Sequence, residues 1–379
     1  MTTLSVIVDP ILSHASPGIG RYTEELTREL IRVAPPDCDV TGIVSASSDD
    51  DYARLEMLLP GLGHLSKGRL GRREQSAAWR LGVGSIRGKG MVHATSLLAP
   101  LGKHDRLNNE ADQIVVTIHD VAAWTHPELL DPRQVAWQKA MAKRARRYAD
   151  AVVVPTHSVA AQLGDILNFG DRIRVIGGAV SSKLQLPVDA DDRARRLDLP
   201  PRYLLSVGAL EPRKGIAALI ASLAHPDAVE LPLLLVGPRG ALDIDVAALA
   251  AEAGLAPDRV RTRGFLADAD LAVALNRATV FVFPSMVEGF GLPIIEAFQL
   301  GAPVVHSDDP AALEVSAGAG IAVPLADAEG YPARLAAAIA EVVARPELAD
   351  QLHFQGIDRA GAFSWQDSAL KVWQLHADL

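Results

Sequence analysis

The chain has 379 residues, 49% of them hydrophobic and 22% charged, and carries a formal net charge of −9. At roughly 100–200 residues per domain, this length predicts two or three domains with cores of their own. The acidic balance disfavours general nucleic-acid binding, and a lone cysteine, Cys38, excludes a disulfide framework or a multi-cysteine metal site.

The chain opens with a short apolar run, Leu4 to Val8, that Asp9-Pro10 cuts off before it reaches the length of a secretory core. No later run approaches the ~18 residues of a membrane span. With the single thiol, this leads to the expectation of a cytoplasmic protein. Short apolar runs then alternate with helical periodicity. SVIV (5–8), VTGIVSA (40–46), MVHAT (91–95), IVVTIHD (114–120), AVVVPT (151–156) and RIRVIGG (172–178) have the aliphatic composition of parallel strands covered on both faces. Ile19, Tyr22, Leu26, Leu30 and Val33 recur at helical spacing between the first two. Residues 1–184 therefore read as one doubly wound α/β domain.

Residues 185–201 turn charged and proline-bounded and read as an interdomain join. A second series follows: RYLLSVG (202–208), LPLLLVG (231–237), RVRTRGF (259–265), TVFVFPS (279–285), PVVHSD (303–308) and GIAVPL (320–325). This predicts a second doubly wound domain over 202–360, facing the first across a cleft at the carboxyl ends of the strands. Residues 361–379 end the chain as an amphipathic helix with Trp365, Leu370, Val372, Trp373 and Leu375 on its apolar side.

Two stretches of the second domain carry chemistry. In FPSMVEGFGLPIIEAFQLG (283–301), Glu288 and Glu296 stand seven residues apart, one on a glycine turn at a strand end and the other inside the helix that follows. Gly289 and Gly291 allow close main-chain approach, and the helix start offers N–H groups to an anion. Ionised carboxylates accept from vicinal hydroxyls. Hydroxyl-bearing groups on both sides of a phosphate bridge describe a nucleotide sugar. In SVGALEPRKG (206–215), Gly208 ends a strand, and Arg213 and Lys214 precede a helix, where two cations suit a diphosphate. In the first domain, His119 ends an apolar strand beside Asp120.

These residues resemble family 4 of the retaining glycosyltransferases. The resemblance rests on SVGALEPRKG, VEGFGLPIIEAFQLGAPVV, GIGRYTEEL (18–26), IHD (118–120) and the closing FSW segment, and it spans nearly the whole chain. It implies the GT-B fold of two Rossmann-like domains. Arg213 and Lys214 would hold the donor diphosphate, Glu288 the transferred sugar and Glu296 the ribose. The main chain from Gly289 through Phe290 and Gly291 to Leu292 would contact sugar and phosphate, with Gly18 and Gly20 approaching from the other domain. His119 would lie beside the donor sugar, and the closing helix would cross back to the first domain. Many relatives carry an arginine where this chain has Ala209, which shifts the clamp onto Arg213 and Lys214.

The reading that follows is a retaining, metal-independent transferase moving a hexose from a nucleotide diphosphate sugar to a glycan, lipid-linked or small-molecule acceptor. No cofactor is expected. Chains with an EPRK segment are often mannosyltransferases, so GDP-mannose is the favoured donor. The alternatives are a GT-B sugar-nucleotide epimerase or hydrolase, and an inactive sugar-nucleotide-binding module. Asp49-Asp50-Asp51 contains a D-x-D of the kind that binds metal in other glycosyltransferases, but its polar setting after a strand reads as a turn or cap. Two basic tracts stand out in an acidic chain: Lys67, Arg69, Arg72, Arg73, Arg80, Arg87 and Lys89, and then Lys139, Lys143, Arg144, Arg146 and Arg147. They read as solvated surface or as contact with the anionic inner face of a membrane.

Overall fold

The computed structural model describes residues 2–13, 17–83, 90–104, 108–109, 111–240, 242 and 244–379. The chain forms two compact units. The first contains Met1–Pro127, Pro132–Gly178 and Ser364–Leu379; the second contains Glu128–Asp131 and Ala179–Phe363.

The first unit is built on seven parallel strands: β1 (Thr2–Ile7), β2 (Cys38–Ala46), β3 (Leu65–Gly71), β4 (Met91–Ala94), β5 (Gln113–Thr117), β6 (Ala151–Val154) and β7 (Ile173–Val175), in the order β3-β2-β1-β4-β5-β6-β7. The central strands β4, β5 and β6 are buried along their whole length, which explains their unbroken apolar text. β3 was not among the expected strands. Its sequence LSKGRLG lies at the sheet edge with Lys67 and Arg69 exposed, so half-burial and edge charge hide it from a search for apolar runs.

The second unit repeats the plan with six parallel strands: β8 (Leu204–Val207), β9 (Leu233–Val236), β10 (Val260–Thr262), β11 (Val280–Phe283), β12 (Val304–Ser307) and β13 (Ile321–Val323), in the order β10-β9-β8-β11-β12-β13. All six coincide with the expected runs. In both sheets the winding reverses once, between β1 and β4 and between β8 and β11. In the second unit this sets the loops after β8 and β11 side by side at the switch point, where doubly wound sheets bind ligands.

Within 185–201, Ala190–Arg196 is helical, and Arg193 reaches both Asp189 and Asp270 at 2.7 Å. Leu184, just before this segment, is fully buried in the core of the second unit. The helix thus belongs to the second unit.

The helix Trp365–Asp378 completes the first unit. The Ser364 hydroxyl accepts from the Asp367 N–H at 3.3 Å and starts the helix. Ser368 Oγ then donates to the Gly177 carbonyl at 2.9 Å, and Trp373 Nε1 donates to the Leu30 carbonyl at 3.1 Å. At its end Gln113 donates to the His376 carbonyl (3.1 Å) and accepts from His376 Nδ1 (2.9 Å). His376 Nε2 is then the acceptor for His93 Nδ1 at 3.4 Å.

Burial holds His93 down to about 4 and keeps His376 well below the ordinary histidine value, so both rings are neutral at pH 7. Below pH ~6.5 the unfolded chain takes up protons that the folded pair refuses. Stability of the first unit should therefore fall between pH ~6.5 and ~4, by up to ~1.4 kcal/mol per pH unit for each histidine. In urea titrations followed by tryptophan fluorescence, His93→Gln should flatten that acid slope; an unchanged slope would show that the pair does not set it.

Candidate functional site

The loop after β8 is seated on the loop after β11 by main-chain approach. Gly215 has φ +66°, and a Cβ there would stand 2.0 Å from the Pro284 carbonyl oxygen, so only glycine fits. The Met286 N–H donates to the Arg213 carbonyl at 2.8 Å, and the Tyr331 hydroxyl donates to the Pro284 carbonyl at 3.3 Å. Beyond this seat, the single turn Pro212–Lys214 presents the two cations.

Lys214 Nζ forms a close ion pair with Glu288 Oε1, and both side chains are largely buried. Its ammonium also stands 5.3 Å from the centre of the Phe283 ring. Burial works against both charges. For Glu288 the fields of Lys214 and Arg213 and the Lys214 hydrogen bond outweigh burial, holding the carboxyl below its usual range. For Lys214 burial wins and lowers its pKa, although Glu288 opposes it. Arg213 Nε is 2.9 Å from Glu211 Oε2, so each cation of the turn has a carboxylate beside it.

Gly291, at φ +91°, caps the helix Leu292–Gln299, with Pro293 in its first turn. The Phe290 ring packs edge-on against Phe363 at 5.5 Å. Glu296, one turn into the helix, is only 4% exposed. This rules out an ordinary solvated helix residue there. Gly208 lies 3.6 Å (from an ideal Cβ) from the aliphatic stem of Lys214. Its carbonyl in turn requires glycine at 237, where a Cβ would come within 1.9 Å. Gly237 was not singled out from the sequence.

Asp309 was also passed over. It follows β12, and its Oδ2 accepts from the Glu288 N–H at 3.3 Å, while Oδ1 accepts from the Ala311 and Ala312 N–H groups at 3.0 and 3.2 Å, capping Pro310–Ser316. Burial, with the charge of Glu288 adding to it, pushes its pKa up to about 6. The sequence signal was Asp-Pro at the end of a strand, which announces a helix start but not a second contact.

In the first unit, Gly18 and Gly20 lie in the helix Pro17–Arg32. A Cβ on Gly20 would meet the Pro10 carbonyl at 2.9 Å, so packing against the preceding turn accounts for that glycine, whereas Gly18 opens onto free space. His119 Nε2 donates to the Thr95 carbonyl at 2.8 Å, and its ring stands edge-on to Tyr22 at 4.9 Å. Tyr22 in turn meets Trp365 of the closing helix at 5.5 Å. Burial lowers the His119 pKa, and the neutral ring keeps Nδ1 as an acceptor. Asp120 accepts from the Ala122 N–H at 3.0 Å and so shapes the turn after His119.

The D-x-D acids begin a helix, Asp49–Leu58, in which the Ser48 hydroxyl accepts from the Asp51 N–H at 3.1 Å and Asp51 reaches back to Ser48. This is a capping box. Among the described residues, no group of three or more His, Cys, Asp or Glu is arranged to hold a metal ion. Of the basic tracts, Arg144 donates to the Leu101 carbonyl and Arg146 to the Asn168 carbonyl, so part of the second tract is structural. Lys67, Arg69, Arg73, Arg80, Lys143 and Arg147 are exposed; Arg87 and Lys89 lie outside the described residues. Among the described residues no helix is long and apolar enough to cross a membrane.

Residues 188–359 match the family described as glycosyl transferases group 1. O-antigen chain mannosyltransferase B of Escherichia coli is 29% identical over 279 residues, covering 70% of each chain. Among solved structures, sucrose-phosphate synthase from Thermosynechococcus elongatus aligns over 100% of this chain and 99% of its own with a TM-score of 0.76 at 23% identity. Anabaena HepE in complex with UDP and glucose aligns over 100% of both chains with a TM-score of 0.74 at 16% identity. The fold is GT-B, and within it residues 188–359 carry the match to the glycosyl transferases group 1 family, which supports a transferase.

Proposed function

We propose that this chain is a retaining, metal-independent glycosyltransferase that moves a hexose, mannose foremost, from a nucleotide diphosphate sugar to a glycan, lipid-linked or small-molecule acceptor. The observation that carries the reading is the buried Lys214–Glu288 pair at the switch point, with Arg213 beside it. Mannose is supported by the activity named for the E. coli relative, and a nucleoside diphosphate by the UDP named with the Anabaena neighbour. GDP-mannose is the first donor to try.

Cleaving the bond between anomeric carbon and phosphate produces an oxocarbenium-like sugar and a diphosphate. In this reading Arg213 and Lys214 take up the negative charge that accumulates on the diphosphate, the task a metal performs elsewhere. Glu288 accepts from hydroxyls of the sugar while keeping Lys214 charged, and Glu296 accepts from the ribose. The main chain of Gly289 to Leu292 meets sugar and phosphate, with Gly208 leaving room beside Lys214. Gly18, open to solvent, and Gly20 complete the phosphate contacts. His119 is assigned to the reacting sugar, where its neutral Nδ1 accepts from a hydroxyl.

Nucleoside diphosphate release from a panel headed by GDP-mannose, with and without acceptor extract, tests the reaction. Turnover that requires no acceptor would instead indicate a hydrolase or epimerase. Lys214→Ala and Glu288→Ala should each lower turnover ~10²-fold or more, the scale of a lost transition-state contact, and EDTA should leave the rate unchanged. Near-normal rates in either variant would displace the site. Because burial lowers the Lys214 pKa, turnover should fall on the alkaline side below the ordinary lysine value of 10.5, and Lys214→Arg should remove that limb.

The exposed cations of the first unit, with Leu81 at 71% and Val83 at 60% exposure beside Arg80, suit an anionic membrane surface that presents a lipid-linked acceptor. Sedimentation with vesicles containing anionic lipid should carry the protein down at low salt and release it at high salt. Absence of binding at any salt would reject that contact.

A further inference from the structure

We propose that Asp309 is a positioning residue for glycosyl transfer, holding the main chain at Glu288 so that the Glu288 carboxylate stays on Lys214. This rests on the transferase reading above, but its geometry stands apart from any substrate. A helix cap needs one acceptor, and Oδ1 already serves both Ala311 and Ala312. Asn or Ser would cap as well. What the carboxylate adds is a second acceptor, Oδ2, turned to the Glu288 N–H.

That second oxygen is held against an electrostatic cost. Asp309 is 5% exposed, and burial together with the like charge of Glu288 disfavours its ionised form. The other groups around it do not relieve this. Asp308 accepts from the Leu325 N–H, His306 is kept neutral by burial with Nδ1 on the Ser307 carbonyl, and Lys214 is engaged by Glu288. A buried, unfavourable charge at the turn that carries Glu288 is what a site does when geometry matters more than stability. Protonation removes the charge and makes the carboxyl a weaker acceptor for the Glu288 N–H, so the hold weakens as pH falls through about 6.

The test compares wild type with Asp309→Asn and Asp309→Ser. Both keep the cap and lose the second acceptor. At neutral pH both should melt at or above the wild-type temperature, because a disfavoured buried charge is gone. Hydrogen exchange in a peptide covering 284–292 should quicken in both variants. With GDP-mannose as probe, kcat should drop at least ~10-fold, the scale of a small displacement of a reacting group, with donor KM little changed. The wild-type loss of turnover on acidification through about pH 6 should be absent in Asp309→Asn. Unchanged exchange in 284–292, or a fall in kcat matched by a fall in melting temperature, would overturn the proposal. If wild type releases no nucleoside diphosphate from any donor of the panel, the transferase reading fails, and the exchange measurement still decides whether Asp309 holds Glu288.

Discussion

Gly215 beneath the Pro284 carbonyl is the contact on which the site depends. Any side chain at 215 would drive the loops after β8 and β11 apart, and Lys214, one residue earlier, would leave Glu288. The ion pair is thus a consequence of main-chain seating more than its cause. Burying two opposite charges costs desolvation that their attraction repays only when the geometry is good. Here the geometry comes from backbone hydrogen bonds at 286 and 213, from the Gly215 approach and from Asp309 behind Glu288. A diphosphate meeting this turn would find charges already desolvated and oriented, which is the condition under which electrostatic stabilisation is largest.

The sequence disclosed what depends on strand ends and hid what depends on sheet edges and second contacts. Twelve strands were legible because buried parallel strands are runs of aliphatic residues, and β3 was not, because an edge strand exposes half its residues and carries charge. The cation turn and the two acids could be located because a doubly wound topology sends every strand end to one side. Glycines were read unevenly. Gly20 was read for a ligand, and its close approach to Pro10 is a packing demand that the pattern did not show, whereas Gly237 was overlooked although it is the one that lets the Gly208 carbonyl through. Asp309 could not be found by pattern, since its link to Glu288 joins loops 21 residues apart and leaves no periodic trace.

Polar side chains in the interior of the first unit follow a different logic. His93, Gln113 and His376 hydrogen-bond to one another across β4, β5 and the closing helix, with His93 Nε2 left buried and without a partner, so the helix is recognised by hydrogen bonds as well as by Trp373 and its apolar neighbours. A buried polar network of this kind discriminates between correct and slipped packing, because each wrong register strands a donor or acceptor. Through Trp365 and Tyr22 the same helix also backs the ring of His119.

The place of that helix bears on how the protein comes into being. Residues 364–379 emerge from the ribosome after every residue of the second unit, yet they finish the unit that contains β1. Domains made early ordinarily settle while synthesis continues. Here the first unit must wait, with the groove for Trp373 unfilled, until residues 364–379 have been made. A nascent chain stalled just after residue 363 has emerged would display a complete second unit behind an unfinished first one.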